Sequence, residues 1–178
     1  MSETSAREKS IALIGFMGAG KSTVGRLLAG RLGMPFRDLD AEIEREAGRD
    51  IPEIFSREGE EGFRKRESRA LERALAEGGA VIACGGGVVT VEENIALLRK
   101  RAVVFHLEVS LEEALRRTEE GGKARPLLAG GDPAARARRL MEQRKEAYAS
   151  AAHEVIYADA AAPEEIAEEI ARRWRRYR

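Results

Sequence analysis

The sequence predicts an α/β sandwich with a mainly parallel sheet, on two observations. Short apolar runs read as strands, and they alternate along the chain with longer segments whose apolar residues recur at helical spacing. Hydrophobic side chains make up 43% and charged ones 35% of the 178 residues, a balance that supports a packed core rather than disorder. The length suits a single domain over residues 1–178. No stretch rich in Pro, Gly or Ser divides it, and no segment repeats.

After a short polar tail, the run Ile-Ala-Leu-Ile at residues 11–14 reads as a buried strand. Residues 15–21 form a loop. A helix follows from Ser22 to Leu32, with Val24, Leu27, Leu28 and Leu32 at helical spacing and Gly33 as its stop. A second short strand begins at Pro35-Phe36 and ends in Asp38-Leu39-Asp40. Helices are expected from Asp40 to Ala76, broken at Gly48 and Gly59, with Phe63, Ala70, Leu71, Ala74 and Leu75 on one face. Strand residues 80–84 run into the triplet Gly85-Gly86-Gly87, and glycine at a strand end marks a sharp turn or a close backbone approach.

A helix from about Val91 to Lys100 leads to the strand AVVFHLEV at residues 102–109. Ser110 is read as the next N-cap, with Glu113 completing a capping box. Residues 118–133, TEEGGKARPLLAGGDP, are rich in Gly, Pro and charge and read as a mobile loop. A helix from Ala134 to about Ala149 and a strand at residues 153–157 follow. Pro163 opens the last helix, whose apolar stripe is Ile166, Ile170, Trp174 and Tyr177.

Bulk properties exclude several function classes. Thirty-one basic side chains face 31 acidic ones, so no positive surplus argues for nucleic acid. No apolar run approaches the roughly 20 residues of a membrane span, and the opening MSETSAREKS lacks an apolar signal-peptide core. A cytoplasmic protein without membrane or nucleic-acid partners is expected. The single cysteine, Cys84, excludes an internal disulfide and is read as a small buried side chain. His106 and His153 have no metal-spaced partner and are read as structural.

Chemistry enters at GFMGAGKST, which fits G-x-x-x-x-G-K-[ST] from Gly15 to Ser22 between a strand and a helix. Gly18 and Gly20 let backbone N–H groups wrap a phosphate at a helix N-terminus. Lys21 can reach the β- and γ-phosphates, and the Ser22 hydroxyl can ligate Mg²⁺. The competing reading is a chance glycine turn, which the complete pattern in its setting disfavours. The loop implies a nucleoside triphosphate but not what receives the phosphoryl group.

Asp38 and Asp40, two apart at a strand end, point to one side in extended geometry. One would organise Mg²⁺ while the other accepts a proton from an attacking hydroxyl; capping of the next helix is the alternative. Arg144 falls inside the apolar stripe formed by Ala137, Leu140, Met141, Tyr148 and Ala151, where a guanidinium calls for an anionic partner. Arg64 has Glu67 one turn on, a spacing that lets Glu67 hold it, although an ordinary surface ion pair has the same spacing. Two inward arginines would bind a carboxylate. Arg125, on the glycine-flanked loop, could close over a transferring phosphoryl group, whereas Lys123 fits a plain solvated charge.

Taken together in order and spacing, GFMGAGKST, DLD at 38–40, IFSREGEEGFRKRE at 54–67, GGG at 85–87, RPLL at 125–128 and Arg144 upstream of Tyr148 closely resemble the shikimate kinases. The resemblance runs from Gly15 to Pro163. It implies a three-layer sandwich with a five-stranded parallel sheet of P-loop NTPase type, a helical substrate-binding region at about 40–77 and a lid at about 118–133. It further implies a monomer that moves the γ-phosphoryl of ATP to the 3-hydroxyl of shikimate, with Mg²⁺, in the route to aromatic amino acids.

By position, the resemblance implies catalytic roles for Lys21, Asp40 and Arg125. Gly18, Ala19, Gly20, Lys21, Ser22, Thr23, Arg117, Arg125 and Pro163 would contact ATP, and Ser22 and Asp38 would hold the metal. Asp40, Phe55, Phe63, Arg64, Gly85, Gly86, Gly87 and Arg144 would contact shikimate. The chain departs from the family at Ala160-Ala161-Ala162, where members often carry a basic residue before the proline matching Pro163. A gluconate kinase on the same scaffold and a non-catalytic nucleotide-binding module are the alternatives.

Overall fold

The structure, a computed structural model, describes residues 9–122 and 125–178; the reading of Lys123 lies outside them. Among the described residues five strands, β1 (Ser10–Ile14), β2 (Phe36–Asp38), β3 (Val81–Ala83), β4 (Ala102–Glu108) and β5 (Glu154–Tyr157), form one sheet in the order β2-β3-β1-β4-β5. Every neighbouring pair is parallel, with Ile11 opposite both Val81 and Val103. Strand β1 is central and buried along its length, which explains its uninterrupted apolar run.

Among the described residues seven helices cover the sheet: α1 (Lys21–Leu32), α2 (Leu39–Ala47), α3 (Ile51–Glu77), α4 (Glu92–Arg101), α5 (Leu111–Glu120), α6 (Pro133–Ala151) and α7 (Pro163–Trp174). Side-chain alternation on β1 divides the core. Ile11 and Leu13 pack with Leu28 of α1 and Ile170 of α7, while Ala12 and Ile14 pack with Leu71 of α3 and Leu98 of α4. Among the described residues no helix is long and apolar enough to cross a membrane.

Three local expectations change. Strand β2 stops at Asp38, whose carboxylate caps α2 by accepting from the Ala41 N–H at 3.3 Å. Asp40 therefore sits in the first helical turn, and the two acids do not share one face of a strand. Capping prevails because it satisfies a helix donor that an extended backbone would leave unpaired. Ser110 does cap α5, accepting from the Glu113 N–H at 3.3 Å, but the Glu113 carboxylate pairs with Arg116 and Arg117 instead of closing a box. The glycine-rich loop is also shorter than expected, since α5 runs to Glu120 and a 3₁₀ turn occupies Pro126–Leu128.

Gly59 meets the expectation of a break. Its backbone is left-handed, φ 70°, inside the α3 span, so the segment carrying Phe55 and the segment carrying Phe63, Arg64 and Glu67 meet at a kink. That kink lets both halves of α3 face the same cavity.

Candidate active site

At the carboxyl edge of the sheet, the loop after β1 turns into α1. Gly18 (φ 76°) and Gly20 (φ 87°) adopt the left-handed conformation that side chains disfavour. A Cβ on Gly18 would lie 2.5 Å from the Ala114 carbonyl oxygen, so α5 packs directly on the loop. The Lys21 ammonium donates back to the Gly15 and Phe16 carbonyls at 2.8 and 2.9 Å. Burial holds Lys21 down to a pKa of about 8, partly countered by Asp40.

Beside it, the Ser22 hydroxyl donates to Asp38 Oδ2 at 2.5 Å. Among the described residues no cluster of three or more His, Cys, Asp or Glu could hold a metal. Two hard oxygen donors next to this glycine loop nevertheless fit Mg²⁺, which binds through one or two protein ligands and completes its shell with phosphates and water. Burial raises the Asp40 carboxyl above the ordinary carboxylate range, with the Lys21 charge opposing.

Two cavities open here. The first, about 830 Å³, runs along Gly18, Lys21, Ser22, Thr23 and Asp38 to Arg117. The second, about 480 Å³, falls within the range of small-molecule sites and lies among Phe55, Phe63, Arg64, Glu67, the glycine triplet and Arg144. Met17, Asp40, Gly86 and Arg125 line both. A ligand in either cavity thus meets the other at Asp40 and Arg125.

The second cavity carries unbalanced charge. Arg64 Nη1 donates to Glu67 Oε2 at 2.6 Å, with Glu67 fully buried. Arg144, 4% exposed, has no carboxylate in ion-pair range among the described residues; its Nη1 donates to the Gly86 carbonyl at 3.1 Å. Arg64 Nε, Glu67 Oε1 and Arg125 Nε are buried polar atoms without a hydrogen-bond partner. Such orphans are rare in folded proteins and are expected where a ligand completes the pairing. The Phe55 and Phe63 rings, with centroids 4.8 Å apart, supply an apolar wall.

The triplet makes space for this charge. None of the three glycines has positive φ, so the need is for missing side chains. A Cβ on Gly85 would run into Glu67 Oε1, and one on Gly87 into the Arg64 guanidinium.

Other expected residues fall further out. Arg117 lines the first cavity while bonding Glu113 at 2.5 Å and the Ala158 carbonyl at 2.7 Å. Pro163 starts α7, exposed, and lines neither cavity; Ala19 is buried within the loop. His153 accepts from the Val104 N–H at 3.1 Å, and His106 stacks on Tyr148. Met17 and Leu127 were not anticipated at the second cavity. Met17 fills an unspecified position of the loop motif, where spacing carries no signal.

A family model described as shikimate kinase matches residues 17–175. The chain belongs to the shikimate kinase family. The shikimate kinase of Thioalkalivibrio sulfidiphilus is 48% identical over 166 residues, covering 93% of this chain and 87% of that protein. That of Symbiobacterium thermophilum is 46% identical, covering 90% and 93%. Among solved structures, shikimate kinase from Acinetobacter baumannii in complex with shikimate superposes with a TM-score of 0.91 at 40% identity, covering 96% of this chain and 95% of that one. A gluconokinase from Sinorhizobium meliloti, at 18% identity and a TM-score of 0.61, shares the fold alone.

Proposed function

We propose that this shikimate kinase family member transfers the γ-phosphoryl group of ATP to the 3-hydroxyl of shikimate, with ATP along the first cavity and shikimate in the second. The observation that carries the reading is the meeting of the two cavities at Asp40 and Arg125. In-line transfer needs acceptor and donor positioned and charge stabilised, with little covalent chemistry from the protein.

Arg64 and Arg144 hold the shikimate carboxylate, and Phe55 and Phe63 cover the ring. The glycine triplet forms the opposite wall. Asp40 accepts the proton of the 3-hydroxyl as its oxygen bonds to the γ-phosphorus and the bond from that phosphorus to the β–γ bridging oxygen breaks. A carboxyl raised by burial is a better proton acceptor than one at its ordinary value. Lys21 leaves the Gly15 and Phe16 carbonyls for the β- and γ-phosphates, and Arg125 offsets charge on the transferring group.

Gly18, Ala19, Gly20 and Thr23 present backbone donors to the phosphates, and Arg117 and Pro163 flank the adenine. Ser22 and Asp38 would hold Mg²⁺, which neutralises β- and γ-phosphate charge when bound. The chain acts as one domain, with a substrate region at about 40–77 and a lid at about 118–133. We further propose a cytoplasmic monomer. Among the described residues the exposed large hydrophobics are Leu27 on α1 and the neighbours Val155 and Tyr157 on edge strand β5, too few for an obligate interface.

An acceptor panel tests the reading. ADP release with Mg-ATP is followed with shikimate, gluconate and deoxyadenosine in turn. Shikimate alone should raise the rate above the ATP-only background. Turnover confined to gluconate, or ATP binding with no acceptor-dependent rate, would overturn it.

A further inference from the structure

Helix α6 sends two side chains to one carbonyl. Arg144 Nη1 and the Tyr148 hydroxyl, one helical turn apart, both donate to the Gly86 oxygen. Two donors occupy both lone pairs of that oxygen. The Tyr148 ring is 3% exposed and lies against the His106 ring, with centroids 4.8 Å apart and planes 15° from parallel. Burial pushes the Tyr148 phenol up to about 12, so it remains a neutral donor.

The segment it grips is intrinsically the loosest backbone near the site. Three glycines in series have the largest conformational freedom to lose, and side-chain bulk cannot wedge them because Glu67 and Arg64 fill the space. Gly86 also lies against the phosphate loop, where a Cβ would stand 3.5 Å from the Met17 nitrogen and 3.6 Å from the Gly15 oxygen. A rigid phenol is therefore the fixed end of a chain from β4 through Gly86 to Arg144.

We infer that Tyr148 is a positioning residue for the acceptor: by fixing the Gly86 carbonyl it sets the orientation of the Arg144 guanidinium toward the second cavity. Arg144 is held by its bond to the Gly86 carbonyl and has no carboxylate in ion-pair range among the described residues. The inference rests on the proposed acceptor site.

The test is Tyr148→Phe, which keeps the ring and its stack on His106 and removes one oxygen. KM for shikimate should rise about five- to tenfold, with kcat and KM for ATP within about twofold of wild type. In an Arg144→Lys background the same substitution should add less than about twofold, because the group it positions is gone. An unchanged KM for shikimate, equal loss for both substrates, or full effect in the Arg144→Lys background would each overturn the inference. Failure of wild-type turnover with shikimate would strike the functional reading instead. The inference is then read from the Arg144 side-chain NMR signal of the free protein: Tyr148→Phe should accelerate guanidinium rotation, and an unchanged rate contradicts it.

Discussion

Glu67, completely buried on α3, holds Arg64 at 2.6 Å three residues earlier on the same helix. Breaking a buried pair by removing one partner leaves an uncompensated charge and typically costs about 3–5 kcal/mol. Glu67→Ala leaves Arg64 with the exposed Glu60 carboxylate at 3.2 Å, so it should lower stability in urea denaturation by somewhat less, about 1–3 kcal/mol. It should also raise KM for shikimate well before KM for ATP, since Arg64 loses its guide. A stability change under about 1 kcal/mol would mean the pair is solvated in practice.

Lys21 makes a pH prediction. Its folded pKa is lowered from 10.5 to about 8 by burial, so between those values the unfolded chain binds more protons. Stability of the free protein should then rise with pH across that window. On the proposed role of Lys21, ATP binding uses the ammonium and should weaken above pH 8, by at most roughly tenfold per pH unit. Titrating the ATP Kd from pH 7 to 9.5 checks this, and Lys21→Arg should flatten the dependence. A flat wild-type profile would contradict the assignment.

The glycine triplet divides on substitution. Gly87→Ala forces its new methyl into the Arg64 guanidinium and should raise KM for shikimate about tenfold or more, with KM for ATP within about twofold. Gly86→Ala meets nothing closer than 3.5 Å and should change KM for shikimate by no more than about threefold. Initial rates of the two variants, side by side, read the ranking. A reversed order would mean the triplet is shaped by its backbone contacts with the loop at residues 15–17.

Asp40→Asn removes the proposed proton acceptor while keeping its size. General-base contributions of about 10²–10⁴ in rate set the expected fall in kcat, with shikimate affinity changed far less. Single-turnover kinetics separate the two effects. A near-normal kcat would take the proton-accepting role away from Asp40.

These residues differ in how plainly the chain announces them. The glycine loop between β1 and α1 was legible as a structure, with Gly18 and Gly20 left-handed and Lys21 opening the helix, because the motif constrains backbone, cation and hydroxyl within one short segment. Arg144 was legible as a charge inside an apolar stripe, and its burial beside Gly86 bears that out. Asp38 and Asp40 were legible as a pair but their geometry was not: a strand end and a helix cap look alike until Asp38 is seen bonding Ala41. The triplet read as a close backbone approach. That Glu67 and Arg64 are among the groups approaching Gly85 and Gly87 depends on contacts between segments distant in the chain, which no local pattern encodes. The Tyr148 bond to Gly86 was invisible for the same reason, its partners being 62 residues apart.

In the proposed reaction Arg64 and Arg144 hold the carboxylate of shikimate while its hydroxyl receives the phosphoryl group. Comparing initial rates of ADP release with shikimate and with shikimate methyl ester, under saturating Mg-ATP, tests it most directly. The ester keeps the ring and every hydroxyl but carries no anion. Shikimate should turn over, with a loss of about a hundredfold or more in kcat/KM with the ester. Comparable kcat/KM for the two would contradict it.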